Sequence, residues 1–87
     1  MAGFLGKLFG KGNNTKKYED IFWMAHYRVG QSVEYAFQQA VYAAVNDGVF
    51  EDQLAAAEKL YEILRPRVEA EDSADLPALD KAKARIK

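Results

Sequence analysis

The sequence predicts an all-α fold: a long-helix antiparallel hairpin, a short N-terminal amphipathic helix, a short C-terminal helix, and pairing into a bundle. Three observations predict it. Apolar residues recur every three or four positions from Tyr18 to Ile86, the spacing that gathers them on one side of a helix. No stretch alternates apolar and polar residues in the manner of a strand. Turn formers cluster at a few points only, and each falls between two periodic runs.

The first element is a leader. In "MAGFLGKLFGKGNNTKK", Phe4, Leu5, Leu8 and Phe9 share one helical side, with Lys7 and Lys11 elsewhere. Gly3, Gly6 and Gly10 weaken helix formation among them. About eight residues are too few to hold a helix alone in water, so this segment is expected to fold only against a surface. An apolar face with flanking lysines suits an anionic membrane boundary, a partner's groove, or the chain's own core. The layout resembles the short membrane hooks of many peripheral bacterial proteins, a convergent device that implies no family. The organisation is therefore a leader over 1–12 and one helical domain over 13–87.

"GKGNNT" (10–15) reads as a hinge, with Asn14 or Thr15 placed to cap the next helix. Residues 16–46 contain no proline and are expected to form one helix. Its core face carries Tyr18, Phe22, Ala25, Val29, Val33, Ala36, Ala40 and Ala43. Gly30 is the one weak link, costing about 1 kcal/mol relative to alanine. "NDG" (46–48) closes this helix, with Gly48 suited to the left-handed conformation of a C-terminal cap.

The second helix is expected over 50–65, where Phe50, Leu54, Ala57, Tyr61 and Leu64 repeat as a coiled-coil seam. A tight corner makes the two helices antiparallel neighbours. Pro66 breaks or kinks the chain at its end. Ser73 or Asp75 then caps a last helix over 76–86, with Pro77 in its first turn and Leu76, Leu79, Ala82 and Ile86 along one stripe.

Composition excludes several function classes. A formal charge of −1 over 87 residues gives no global attraction to nucleic acid. With no cysteine in the chain, there is no thiol nucleophile or cysteine zinc site, and a reducing cytosol is compatible. No apolar run approaches the ~20 residues of a membrane span. The leader also lacks the pattern of a cleaved secretory signal, and glycine is not the second residue, as myristoylation needs. The expected location is the cytoplasm, or the inner membrane surface if the leader docks there.

Candidate chemistry fails residue by residue. His26 lies on the core face near Val33 and Phe37, where a lone histidine is a hydrogen-bonded packing residue. Trp23 stands three residues before it, where a di-iron bundle needs glutamate. Ser32 faces about 120° away from it, so no nucleophile–base pair forms. Setting "NDG" in a calcium loop would make Ala43, Val45 and Leu54 ligands, which they cannot be. The acidic run Glu69, Glu71, Asp72, Asp75 and Asp80, followed by Lys81, Lys83, Arg85 and Lys87, reads as a solvated connector and a helix whose basic end complements its dipole. No cofactor, metal or catalytic residue is assigned.

What remains is a surface. Met24, Arg28, Gln31, Tyr35, Gln38 and Tyr42 line the side of the long helix opposite its core face, with Tyr27 beside them and Trp23 and Val41 on the flank. Tyr, Trp, Met and Arg are enriched where proteins bind proteins. After Pro66 the chain offers only Val68, Leu76, Leu79 and Ile86 as substantial apolar cover, too little for both the seam and this band. The expected function is thus a non-catalytic helical interaction module (adaptor, regulator or assembly subunit), self-associating through Trp23, Met24, Tyr27, Arg28, Tyr35 and Tyr42. The alternatives are a peripheral membrane protein held by Phe4, Leu5, Lys7, Leu8, Phe9 and Lys11, and an inhibitor or immunity-type protein of a phage or mobile element.

Overall fold

Tyr18 and Phe22, one helical turn apart, enter the core from a first helix, α1 (15–23). The structure is a computed structural model that describes residues 15–86; the leader and Asn14 lie outside them. Thr15 belongs to α1 itself and does not precede it as a cap. The helix widens into a π turn over Met24–Arg28, closed by the Val29 N–H donating to the Met24 carbonyl at 2.8 Å.

The expected single helix over 16–46 is two. Gly30 takes φ +93°, a region open to glycine because it has no Cβ. Ser32 is extended, and its Oγ accepts the Tyr35 N–H at 3.1 Å, starting α2 (Val33–Asn46). Val29, expected in the core, falls on the break and is 68% exposed. Beyond it Val33, Ala36, Phe37, Ala40, Val41 and Ala44 are buried along α2.

The end of α2 has the expected glycine closure. Gly48 has φ +78°. Its N–H donates to the Val45 carbonyl and that of Val49 to Ala44, both at 3.0 Å, the paired bonds of a Schellman cap. Asp52 then accepts the Ala55 N–H at 2.9 Å and starts α3 (Gln53–Asp72).

Three expectations for this helix change, the first being its start, since Phe50 precedes it. Its buried residues are Ala56, Ala57, Leu60, Leu64 and Val68, so Leu60 occupies the seam in place of Tyr61, and Leu54 is exposed. The helix also continues through Pro66 to Asp72. Pro66 removes one backbone bond, but burial of Val68 on the next turn favours continuing by about 1.5–3 kcal/mol.

Asp72 accepts the Ala74 N–H at 3.0 Å and sets a 3₁₀ turn, Ser73–Asp75. Pro77 lies in the first turn of α4 (Leu76–Arg85). Leu79, Ala82 and Ile86 are buried and Leu76 half-buried, as the stripe predicts. Asp75 precedes α4 without capping it through its side chain. Helices α2, α3 and α4 pack against one another, and Tyr18 and Phe22 of α1 join the same apolar cluster. Among the described residues there is no strand.

Candidate interaction surface

The break at Gly30 divides the expected aromatic band into two groups with different surroundings. The first comes from α1 and its π turn. Trp23 is half-buried, its ring 4.5 Å from that of Tyr27. The Arg67 guanidinium lies over the indole, 4.7 Å from the ring centroid, and its Nη1 donates to Glu19 Oε1 at 2.6 Å. A cation on an aromatic face, tied also to a largely buried carboxylate, pins α1 to α3. The Tyr27 hydroxyl donates to Asp75 Oδ2 at 3.1 Å. Part of the band is therefore covered by α3 and the 3₁₀ turn of the same chain, while Met24 and Arg28 remain exposed.

The second group lies on α2. Tyr35 and Tyr42 are seven residues apart, two helical turns, and so share a face. They are 46% and 45% exposed, with Gln39 and Asn46 exposed beside them and Gln38 half-buried. Near the end of this face Tyr42, Val45, Asn46 and Gln53 line an open cleft of about 330 Å³.

The chain's other tyrosines are used internally. The hydroxyl of Tyr18 donates to Asp47 Oδ2 at 2.6 Å, beside a Lys17 ammonium 3.0 Å from the same oxygen. Tyr61 donates to Asp80, whose helix also places Lys83 over the Tyr61 ring. Burial, then the bond to Asp47, pushes the Tyr18 phenol up to about 12. Burial, then the bond to Asp75 and the carboxylates of Asp75, Glu71 and Asp72, pushes Tyr27 up to about 12 as well. The bond to Asp80 raises Tyr61. A phenol held this way is a hydrogen-bond donor at neutral pH, not a base. Asp47 is correspondingly lowered, first by the Tyr18 bond and then by Lys17.

Tyr35 and Tyr42 differ. Among the described residues neither hydroxyl has a hydrogen-bond partner.

Sequence reasoning missed the polar locks: Asp47 read as a turn former, Asp75 as a cap, and Arg67 and Glu19 not at all. Asp75 and Asp80, taken for solvated connector charges, bond to tyrosines, and Arg85 Nε lies 3.1 Å from Glu34 Oε2. His26 is the hydrogen-bonded packing residue expected: Nδ1 is 2.7 Å from the Gln31 carbonyl and Nε2 is 3.2 Å from Asp75 Oδ2. No group of three metal-ligating side chains occurs among the described residues, and no helix there is long and apolar enough to cross a membrane. The docking residues Phe4, Leu5, Lys7, Leu8, Phe9 and Lys11 lie outside the described residues.

Compared with protein-family models, curated proteins and solved structures, the chain finds no match.

Proposed function

We propose that this chain is a non-catalytic, cytoplasmic protein-interaction module that docks through the outer face of α2, with a second copy of itself as partner. One observation carries the reading: of five tyrosines, three give their hydroxyls to aspartates of the same chain, whereas Tyr35 and Tyr42 stand outward, two turns apart, with theirs unengaged among the described residues. Tyrosine combines a large apolar ring with a polar tip and few rotatable bonds, which suits a half-exposed docking position. Two α2 helices laid together would cover both rings, and a two-fold arrangement makes one face sufficient. The α2–α3 hairpin would then pair into a larger bundle, with Met24 and Arg28 at the margin.

Sedimentation equilibrium of the purified chain tests this. The parent should self-associate, and Tyr35→Ala or Tyr42→Ala should each weaken association by more than about 1 kcal/mol with helical circular dichroism unchanged. Because the contact is aromatic, added salt should barely alter it. A parent that stays monomeric, or variants that associate as it does, would exclude this face as a dimer interface. Liposome flotation with and without residues 1–12 tests the competing membrane role: recovery that depends on the leader would favour it.

A further inference from the structure

The docking reading leaves His26 unused, although it sits where three segments meet. Between the π turn and α2 the chain turns at Gly30. The Gln31 N–H donates to the Ala25 carbonyl at 2.9 Å, and the Gln31 carbonyl lies 2.7 Å from His26 Nδ1. The other ring nitrogen, Nε2, lies 3.2 Å from Asp75 Oδ2 in the turn before α4. Both partners are acceptors: a backbone carbonyl has no hydrogen to give, and an ionised carboxylate has none either. A neutral imidazole carries one N–H, so it can satisfy only one of the two contacts. Making both as hydrogen bonds takes the imidazolium.

The charged side chains grouped around the ring and its Tyr27 neighbour are carboxylates. From the π turn, Tyr27 places its ring edge-on to the imidazole at 4.4 Å and donates to the same Asp75 oxygen. From the last turn of α3, Glu71 and Asp72 add negative charge around Tyr27. The connector presents only the neutral Gln31 carbonyl. Arg28, the nearest cation in sequence, is exposed.

We propose that His26 is a proton-operated clasp. As imidazolium it ties the end of α1 and the α1–α2 connector to the start of α4. When pH rises, the Nε2 proton goes to solvent and the shorter Nδ1–H bond to Gln31 is kept. The Nε2 lone pair then faces the Asp75 carboxylate, and the arm to α4 opens. The clasp does not rest on the docking reading, since it acts within one chain.

Nitrogen-15 NMR of the full chain from about pH 5 to 8 tests it. Both ring nitrogens should be protonated at the acid end, with Nε2 the one that deprotonates. Amide exchange at Ala74, beside Asp75, corrected for its intrinsic pH dependence, should accelerate by about tenfold across the titration, the equivalent of losing one charge-assisted bond. His26→Gln, which does not titrate, should abolish that change. Asp75→Asn should abolish it while leaving the ring titratable, and serves alone if the first variant fails to fold. Deprotonation at Nδ1 instead, or an unchanged pH response in Asp75→Asn, would overturn the clasp.

Discussion

Tyr18→Phe is the most informative single change, because one hydroxyl there links burial, a helix corner and two pH limbs. The ring is 1% exposed, and phenylalanine preserves its packing. What disappears is the bond to Asp47 Oδ2, which ties α1 to the residue closing α2. Hydrogen bonds to charged groups are worth roughly 1.5–3 kcal/mol. Lys17 and water remain available to Asp47, so a value at or just below the low end applies, and the variant should lose about 1–1.5 kcal/mol at pH 7. For a domain of this size that is a fall of very roughly 4–12 °C in Tm.

The pH dependence separates this cause from a mere packing defect. The phenol is pushed from its ordinary 10 to about 12. In the unfolded chain it ionises first, so the folded state gives up stability as pH rises through the window from 10 to 12. That loss is about 2–3 kcal/mol at most, and phenylalanine cannot suffer it. Asp47 works in the opposite direction: lowered below its ordinary 3.8 in the fold, it contributes above that pH and ceases to as pH falls through its folded value. Urea unfolding should therefore show the parent's advantage intact near neutrality, shrinking as pH falls through the Asp47 range, and closing and then reversing as pH rises from 10 to 12. Tyr27 and the other groups are common to both proteins and cancel in the comparison. Parallel curves, or no gap at pH 7, would refute the linkage.

Gly30→Ala should cost about 1–2 kcal/mol in urea unfolding: the backbone is at φ +93° and nothing lies within 4 Å of the added carbon, so the whole penalty is conformational. Pro66→Ala should raise Tm, restoring a helical N–H bond worth more than the roughly 0.4–1 kcal/mol by which proline restricts the unfolded chain. Arg67→Met keeps a long apolar stem beside Trp23 but strips the Glu19 carboxylate, whose side chain is 12% exposed, of its cation; a loss of about 1–3 kcal/mol in denaturant unfolding and a shift in Trp23 fluorescence should accompany it. Leu60→Ala should cost about 2–5 kcal/mol in the same assay, since this residue and not Tyr61 fills the seam.

The parts of the fold that were legible depend on short-range chemistry. Gly48 ends α2 because a left-handed residue there lets two N–H groups return to its last carbonyls, and "NDG" announces that locally. The α4 stripe was legible because Pro77 fixes the helix start and thereby its phase. The break after the π turn was not. Val29 and Val33 lie four apart, so apolar periodicity runs straight across Gly30 and detects nothing. The local signal was glycine followed two residues later by Ser32, a stop and then a cap. It was muted because Tyr35, three residues after Ser32, is not the glutamate or glutamine that completes a capping box. The same ambiguity moved the α3 seam: both Leu60 and Tyr61 satisfy three-and-four spacing. In the fold Leu60 fills the interior, while Tyr61 packs at the edge of the core with its hydroxyl on Asp80, 19 residues away.

Long-range contacts of this kind also explain why the candidate surface was only half legible. Residue type marked Trp23, Tyr27, Tyr35 and Tyr42 alike as interface-formers, since composition cannot distinguish an aromatic held by its own chain from one left outward. The distinction comes from aspartates and an arginine far along the sequence: Asp75 takes Tyr27, and Arg67 covers Trp23. Nothing comparable reaches Tyr35 or Tyr42 among the described residues. The division has an energetic consequence for docking. Locks at Asp47, Asp75 and Asp80 tie α1 to the end of α2, the π turn to the turn before α4, and α3 to α4, so the helix presenting the two outward rings is held by a braced frame. Binding then requires little backbone ordering beyond the rings themselves, which is where preorganisation improves affinity without enlarging the contact.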